Sequence, residues 1–230
     1  MKALILAAGR SKRLKPVKDK NILKFNGVTL VERRLNSLAR SGITKFVIMV
    51  GEHNKLDIEK ICLELPYEIE ILEQENLDEG MAGAIKSAED AIKDQPVLIV
   101  STNDSVDQAL IEKLVTEIDL NNPDALIVGK KVTDYFPGGY IETDINNHLT
   151  NIVEKPEPGS EPSDMINLVY HYYCSPSKLV EKLKSTKSSK DDIYEKTLLE
   201  LIKEGLKVSV LPYSGSWHAI KYPWHILNTA

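Results

Sequence analysis

Residues 2–20 read KALILAAGRSKRLKPVKDK, and the order of events in this stretch decides the fold. The apolar run 2–7 ends at Ala8-Gly9, as a buried parallel strand does, and a polar loop follows before any helical pattern begins. The small residues Ala7, Ala8 and Gly9 let backbone pass close to a bulky or charged ligand. Six cations, Arg10, Lys12, Arg13, Lys15, Lys18 and Lys20, then fall within positions 10–20. The whole chain is net acidic, with 29 Lys plus Arg against 34 Asp plus Glu, so their field is local and attracts anions. Ligands of open α/β sheets bind at the carboxyl ends of strands, where this loop begins, and phosphate is the natural ligand. A merely solvated basic loop is the alternative. The loop is neither a Walker A, because no Gly-Lys-Ser/Thr closes it, nor GxGxxG, because Ser11 and Leu14 hold the later glycine positions.

Outward from the loop, strand and helix alternate. Leu30, Leu35, Leu38 and Ala39 recur at helical spacing, Gly42 can cap that helix, and 45–50 reads as a second strand. Helices fit 55–65, 80–92 and 106–118, and strands fit 68–73, 96–100 and 125–128. Helices on both faces of a parallel sheet satisfy this order. After Gly129, the segments 138–142, 149–153 and 166–173 read as strands separated by Gly, Pro and Asn turns, which predicts an antiparallel annex. Helices at 178–183 and 193–203, a strand at 206–211 and a short terminal helix at 223–228 complete the chain. The Pro-rich acidic segment 154–164 is expected as an exposed loop, either a lid or an inert connection.

With 230 residues, the chain fits one α/β domain. The acidic balance argues against nucleic acid as a partner. No run of about 18 apolar residues is present and the start lacks a secretion signal, so neither a membrane nor export is expected, and a cytoplasmic location is. Cys62 and Cys174 lie far apart without a CxxC, which indicates neither a disulfide framework nor a thiolate metal site. A homodimer is compatible with the sequence, although no exposed stripe marks its interface.

The opening resembles that of the nucleotidyltransferases that make nucleotide-diphosphate sugars, LAAGxGxR, a variable loop, then PKxLxxxxG. The resemblance implies a Rossmann-like, three-layer α/β fold with a mixed, mostly parallel central sheet and a small antiparallel annex. It divides the single domain 1–230 into a nucleotide-binding half, 1–129, and a sugar-phosphate-binding half, 130–230. By the same resemblance Leu6, Ala8, Gly9 and Ser11 would line the nucleotide, and Arg13 and Lys20 would hold the phosphates of the NTP. Ser11 replaces the family's second glycine, and Asp19 replaces the proline before the lysine. Residues 26–51 resemble the family's helix-strand unit, and 73–85 resemble its Gln…GxAxA segment, which would bring Gln74 and Gly80 to the nucleobase. A glycine at a helix start admits a flat base against bare backbone, and an amide reads polar edges.

Asp104 follows the apolar strand and matches the aspartate of the family's (G/A)D segment, which makes it the expected Mg²⁺ ligand. A hard divalent ion there can join a carboxylate to triphosphate oxygens. Capping of the following helix by a nearby Asp or Ser is a second local use. IVEKP at 152–156 and INLVYHYY at 166–173 resemble the IVEKP and NxGxY segments. By that resemblance Glu154 and Asn167 bind sugar hydroxyls, Lys155 meets the sugar-1-phosphate and Gly139 packs under the sugar. Tyr170, Tyr172 and Tyr173 suit either stacking on a pyranose or ordinary packing. The ending 215–227 resembles G-x-W-x-D-h-x-x-P-x-D-L-L, with Trp217, Pro223, Ile226 and Leu227 in place. Ala219 stands where the family has its second metal-binding aspartate, which leaves Asp104 with phosphates and water, or with His218 or Asp192. His225 replaces an outer aspartate.

The resemblance thus implies Mg²⁺-dependent transfer of a nucleotidyl group from an NTP, UTP or dTTP, to a sugar-1-phosphate, with Arg13, Lys20 and Lys155 as the catalytic cations. Ser11, Asp19 and Ala219 keep a second reading open, a nucleotide- or sugar-nucleotide-binding homologue with a regulatory role. A glycosyltransferase and a plain scaffold are further readings.

Overall fold

The opening run folds as β1 (Lys2–Leu6), whose three central residues are fully buried in the computed structural model, which describes residues 1–188, 192–220 and 222–223. A short hairpin, β2 (Lys24–Phe25) and β3 (Val28–Thr29), turns at Asn26 and Gly27, both with positive φ, and leads into α1 (Leu30–Arg40). Thr29 and Glu32 form a capping box at its start. Its other end closes at Gly42 (φ 88°), whose left-handed backbone a Cβ would oppose. Then come β4 (Lys45–Val50), α2 (Lys55–Cys62), β5 (Glu68–Glu73), α3 (Gly80–Ser87), α4 (Glu89–Ile92), β6 (Val97–Ser101), β7 (Asp104–Val106) and α5 (Gln108–Asn121). The remainder is β8 (Ala125–Lys131), β9 (Gly139–Thr143), β10 (Leu149–Glu154), β11 (Met165–Tyr173), α6 (Pro176–Ser185), α7 (Ile193–Lys203), β12 (Val208–Tyr213) and β13 (Trp217–Ala219).

Nine strands make one sheet, ordered β10-β9-β11-β6-β1-β4-β5, with β8 and β12 joined along the other edge of β11. The pairs β1–β4, β1–β6, β4–β5 and β8–β12 are parallel, while β11 runs antiparallel to β6, β8 and β9. The strands expected as an annex are antiparallel, and they extend the main sheet through β11. Apolar side chains of α1, α2 and α5 cover one face, and those of α3, α4, α6 and α7 cover the other. This is a three-layer α/β arrangement whose strands β1, β4, β6 and β8, buried over most of their length, need cover on both sides.

Two short strands depart from the sequence reading. Residues 104–106 form β7 and pair antiparallel with β13, with Asp104 opposite Ala219, and α5 begins only at Gln108. Asp107 holds the N-cap position without a side-chain cap bond, because its carboxylate takes the Tyr213 hydroxyl and the Ser216 N–H instead. The expected helix at 223–228, with Ile226, Leu227 and His225, lies outside the described residues except for Pro223. Residues 155–164 form an exposed connection between β10 and β11.

Candidate functional site

The carboxyl ends of β1, β4 and β6 lie side by side, so the loops that follow them share one rim. A buried polar network ties these loops together, centred on Asp19, which is 4% exposed. Asp19 Oδ1 accepts the backbone N–H of Asn21 (2.9 Å), its Nδ2 (2.8 Å) and the Ser11 hydroxyl (3.4 Å), and Oδ2 accepts from Asn54 Nδ2. Asn21 and Asn54 also both donate to the carbonyl of Ala7, at 2.8 and 2.9 Å. Thr102, after β6, donates to Asn21 Oδ1 (2.5 Å). A carboxylate removed from water needs this many donors to remain there. Ser11 adopts left-handed backbone (φ 49°), which costs an L-residue about 1–2 kcal/mol. Its hydroxyl offsets this by accepting the Lys20 N–H at 3.2 Å, so the substituted glycine position became part of the clamp on Lys20.

Lys20 sits where two cavities meet. One, of about 240 Å³, is lined among others by Leu6, Ala8, Gly9, Gln74, Gly80 and Lys20. The adjoining one, of about 310 Å³, is lined among others by Gly9, Ser11, Arg13, Asn103 and Lys20. Every residue assigned to the nucleotide thus borders one continuous cleft. Burial pulls the Lys20 ammonium down to a pKa of about 8, opposed by the negative charges of Asp19 and Asp104 and reinforced by Arg13. Arg13 lies over the ring of Tyr222, 5.5 Å from its centroid, while Arg10 reaches across the mouth to Asp78 (2.6 Å).

Gln74 is buried, and its Nε2 donates to the carbonyls of Asn76 (2.9 Å) and Gly80 (3.0 Å). Both of its donors therefore hold the turn into α3, and the cleft receives an acceptor oxygen. Gly80 has φ 55°, and a side chain at Gly83 would strike Gln74 Nε2 at 2.8 Å, so two glycines keep this turn closed.

Asp104 borders neither cavity. It is 7% exposed, and its Oδ1 accepts the indole N–H of Trp217 at 2.9 Å. Arg34 of α1, itself buried, donates to the Asp104 carbonyl and to the Tyr170 hydroxyl, which fixes β7 from behind. Sequence reasoning passed over Arg34; the signal was a lone cation within the apolar stripe of α1. Asp104 Oδ2 carries no hydrogen bond among the described residues. No group of three His, Cys, Asp or Glu that could hold a metal ion occurs among them. His218 is exposed and pairs with Ser105 rather than Asp104, and Asp192 borders the cavity that Glu154 and Lys155 line. Mg²⁺ is commonly held by one or two carboxylates plus substrate phosphates, so Asp104 fits as a single anchor for an ion carried in on a triphosphate.

At the other end, Glu154 pairs with Gly139, and Tyr140 pairs with Ile166. One further antiparallel step sets Gly139 opposite Asn167, which makes a row of Glu154, Gly139 and Asn167 across three strands. Two strand spacings separate the outer members, about 10 Å. A Cβ on Gly139 would meet Glu154 Oε2 at 3.2 Å, so the missing side chain lets the carboxylate lean over the row. Lys155, with left-handed backbone (φ 46°), pairs with Glu154 at 2.9 Å, and both border a third cavity of about 490 Å³ with Asp192, Glu195 and Lys196. Asn167 accepts from His171 at 2.8 Å and borders none of these three cavities. Tyr170, Tyr172 and Tyr173 are buried, which makes them core residues and removes the stacking alternative.

A mixed sheet carries a cationic loop and a buried polar clamp at its rim, and comparison with known proteins gives the class. The nucleotidyl transferase family model matches residues 2–220, and the chain belongs to that family. It is 28% identical over 232 residues to the bifunctional sugar-1-phosphate nucleotidylyltransferase/acetyltransferase of Sulfurisphaera tokodaii, covering 99% of this chain and 54% of that protein. To the bifunctional protein GlmU of Methanococcus maripaludis it is 25% identical over 236 residues, covering 99% and 53%. The chain therefore spans about half the length of these relatives. The fold matches that of a putative glucose-1-phosphate thymidylyltransferase from Bacillus anthracis, with a TM-score of 0.85 at 21% identity over 99% of this chain and 93% of that one. It also matches a UDP-glucose pyrophosphorylase solved with UDP-glucose, at 0.85 and 15% identity over 99% and 96%. No helix among the described residues is long and apolar enough to cross a membrane.

Proposed function

We propose that this chain transfers a nucleotidyl group from UTP or dTTP to a sugar-1-phosphate and releases pyrophosphate. The observation that carries this reading is Lys20, a partly desolvated ammonium clamped at the junction of two cavities along one cleft. A base fits the cavity with Gln74, whose oxygen suits the N3–H of uracil or thymine, and a triphosphate fits the cavity with Ser11 and Arg13. A sugar fits the row of Glu154, Gly139 and Asn167.

In the reaction an oxygen of the sugar-1-phosphate attacks the α-phosphorus, and the bond from that phosphorus to the β-phosphate oxygen breaks. No general base is needed, because a phosphate monoester with a second pKa of about 6 is already largely dianionic near neutrality. Alignment and charge neutralisation remain to be supplied. Lys20 and Arg13 hold the departing phosphates, and Lys155 offsets the repulsion of the incoming one. Asp104 would hold Mg²⁺, which when bound would supply further neutralisation of phosphoryl oxygens.

The burial of Asp104 and the alanine opposite it favour one second reading, a binding homologue with weak catalysis. Pyrophosphate release from UTP, dTTP, CTP, ATP and GTP, each with glucose 1-phosphate and N-acetylglucosamine 1-phosphate, decides between them. Release with UTP or dTTP is expected. Saturable nucleotide binding without release from any pair supports the homologue.

A further inference from the structure

His171 on β11 is fully buried and, among the described residues, its ring nitrogens face Asn167 and Tyr194; it lies outside the residues assigned to either substrate. Its Nε2 is 2.8 Å from Asn167 Oδ1, and its Nδ1 is 2.6 Å from the Tyr194 hydroxyl. That hydroxyl lies 2.5 Å from the hydroxyl of Tyr173, and the ring stacks on Tyr194 with centroids 5.3 Å apart at 15°. Both tyrosines are buried. Burial pushes the imidazole down to a pKa of about 3, and it raises both phenols, so all three groups are neutral around pH 7.

A neutral imidazole has one donor and one acceptor. An amide oxygen faces Nε2, so the proton is on Nε2. Nδ1 is then the acceptor and takes the Tyr194 proton, and the Tyr194 oxygen is left to accept from Tyr173. The proton order therefore runs one way, from Tyr173 through Tyr194 and His171 to Asn167. An isolated asparagine can present either end of its amide. Here the oxygen is engaged, and Nδ2 carries no hydrogen bond among the described residues.

We propose that His171 is a positioning residue that fixes the Asn167 amide, so that position 167 turns its Nδ2 donors toward the sugar-1-phosphate. Across Gly139, Glu154 offers acceptors only. A hydroxyl seated over the row accepts from Asn167 and donates to Glu154, which makes the site selective for a hydroxyl at that place over a deoxygenated or carbonyl carbon. The proposal rests on Asn167 being a sugar ligand.

Nitrogen-resolved NMR of the full chain without substrate tests the proton order directly. A single neutral tautomer protonated at Nε2 is expected between pH 6 and 8, and protonation at Nδ1 overturns the proposal. Kinetics use the fastest nucleotide and sugar-1-phosphate pair of the panel above. His171→Phe is expected to raise KM for the sugar-1-phosphate roughly tenfold and leave KM for the nucleotide unchanged. His171→Gln, which keeps an N–H donor near the Nε2 position, is expected to recover most of that loss. Should His171→Phe not fold, Tyr194→Phe removes a single hydroxyl, and it is expected to mix the tautomers and raise the same KM several-fold. Asn167→Ala separates the two levels. An unchanged sugar-1-phosphate KM in that variant overturns the ligand reading itself. A raised KM there, with His171→Phe and Tyr194→Phe both silent, overturns only the relay.

Discussion

The two lysines assigned to the phosphates of the two substrates are held in opposite ways. Lys20 is clamped through its own backbone to Ser11 and neighbours a buried carboxylate with four protein donors, so its charge stands in a fixed place and is only partly hydrated. Lys155 follows an edge strand, leaves 44% of its side chain exposed and is paired with its neighbour Glu154. The lysine end of that pair is open to water although Glu154 is only 16% exposed, so a phosphate can reach the Lys155 ammonium without the cation first being uncovered. The difference follows what each end meets. A triphosphate is the same in every NTP and suits a preorganised charge, whereas sugar-phosphates vary and suit one that adapts.

The contrast is broken most severely at Lys20. Lys20→Ala is expected to reduce pyrophosphate release by about 10²–10³ with an unchanged melting temperature or a higher one, because a cation pulled down by burial opposes folding. Asp19→Ala acts on the clamp instead. It strips the acceptor from Asn21, Asn54 and Ser11, and a loss of about 2–4 kcal/mol in denaturant unfolding is expected. If Asp19→Ala unfolds at the wild-type midpoint, the network does not hold the loop. Lys155→Ala takes the cation from the largely buried Glu154, and it is expected to cost at most about 1 kcal/mol of stability and raise KM for the sugar-1-phosphate about tenfold.

Titration sharpens the same contrast. The pKa of Lys20 is lowered from 10.5 to about 8, so the unfolded chain binds the extra proton between these values, and stability contributed by this group rises with pH across that window. Activity moves the other way, because the charged form grips phosphate. kcat/KM for the nucleotide, which reports the free enzyme, is expected to fall as pH rises through about 8. A profile flat to pH 10 would remove Lys20 from this role.

The same division governs what could be read from sequence. The first strand, its glycine turn and the cations after it are adjacent in the chain, and an apolar run followed by charge states its own meaning. Asp19 could be seen next to Lys20, yet its partner Asn54, and Thr102 that bonds Asn21, arrive from other loops, and only the parallel packing of β1, β4 and β6 gathers them. The run 166–173 is apolar enough to be a strand in either direction, so its antiparallel place beside β6 left no trace in periodicity. Strands of three residues, β7 and β13, are shorter than any period, and their pairing joins positions more than a hundred residues apart. The helix expected from 106 therefore absorbed the end of a strand.

That pairing sets the smallest of the expected effects and the one that isolates the metal. Ala219 is the cross-strand partner of Asp104, and directly opposed Cβ atoms in an antiparallel pair lie about 4.5–5.5 Å apart. Ala219→Asp places a second carboxylate within reach of the same ion. Without a divalent ion two buried carboxylates repel, so the variant is expected to melt lower than wild type near pH 7 and to recover as the pH falls and one of them takes up a proton. With Mg²⁺ the sign reverses. The variant is expected to gain melting temperature with increasing Mg²⁺ at concentrations several-fold below those that affect wild type, because a two-carboxylate site binds without waiting for triphosphate. A melting temperature indifferent to Mg²⁺ in both proteins, with and without dTTP, would mean that Asp104 serves Trp217 and the strand alone, and the ion would have to be held by the phosphates and water.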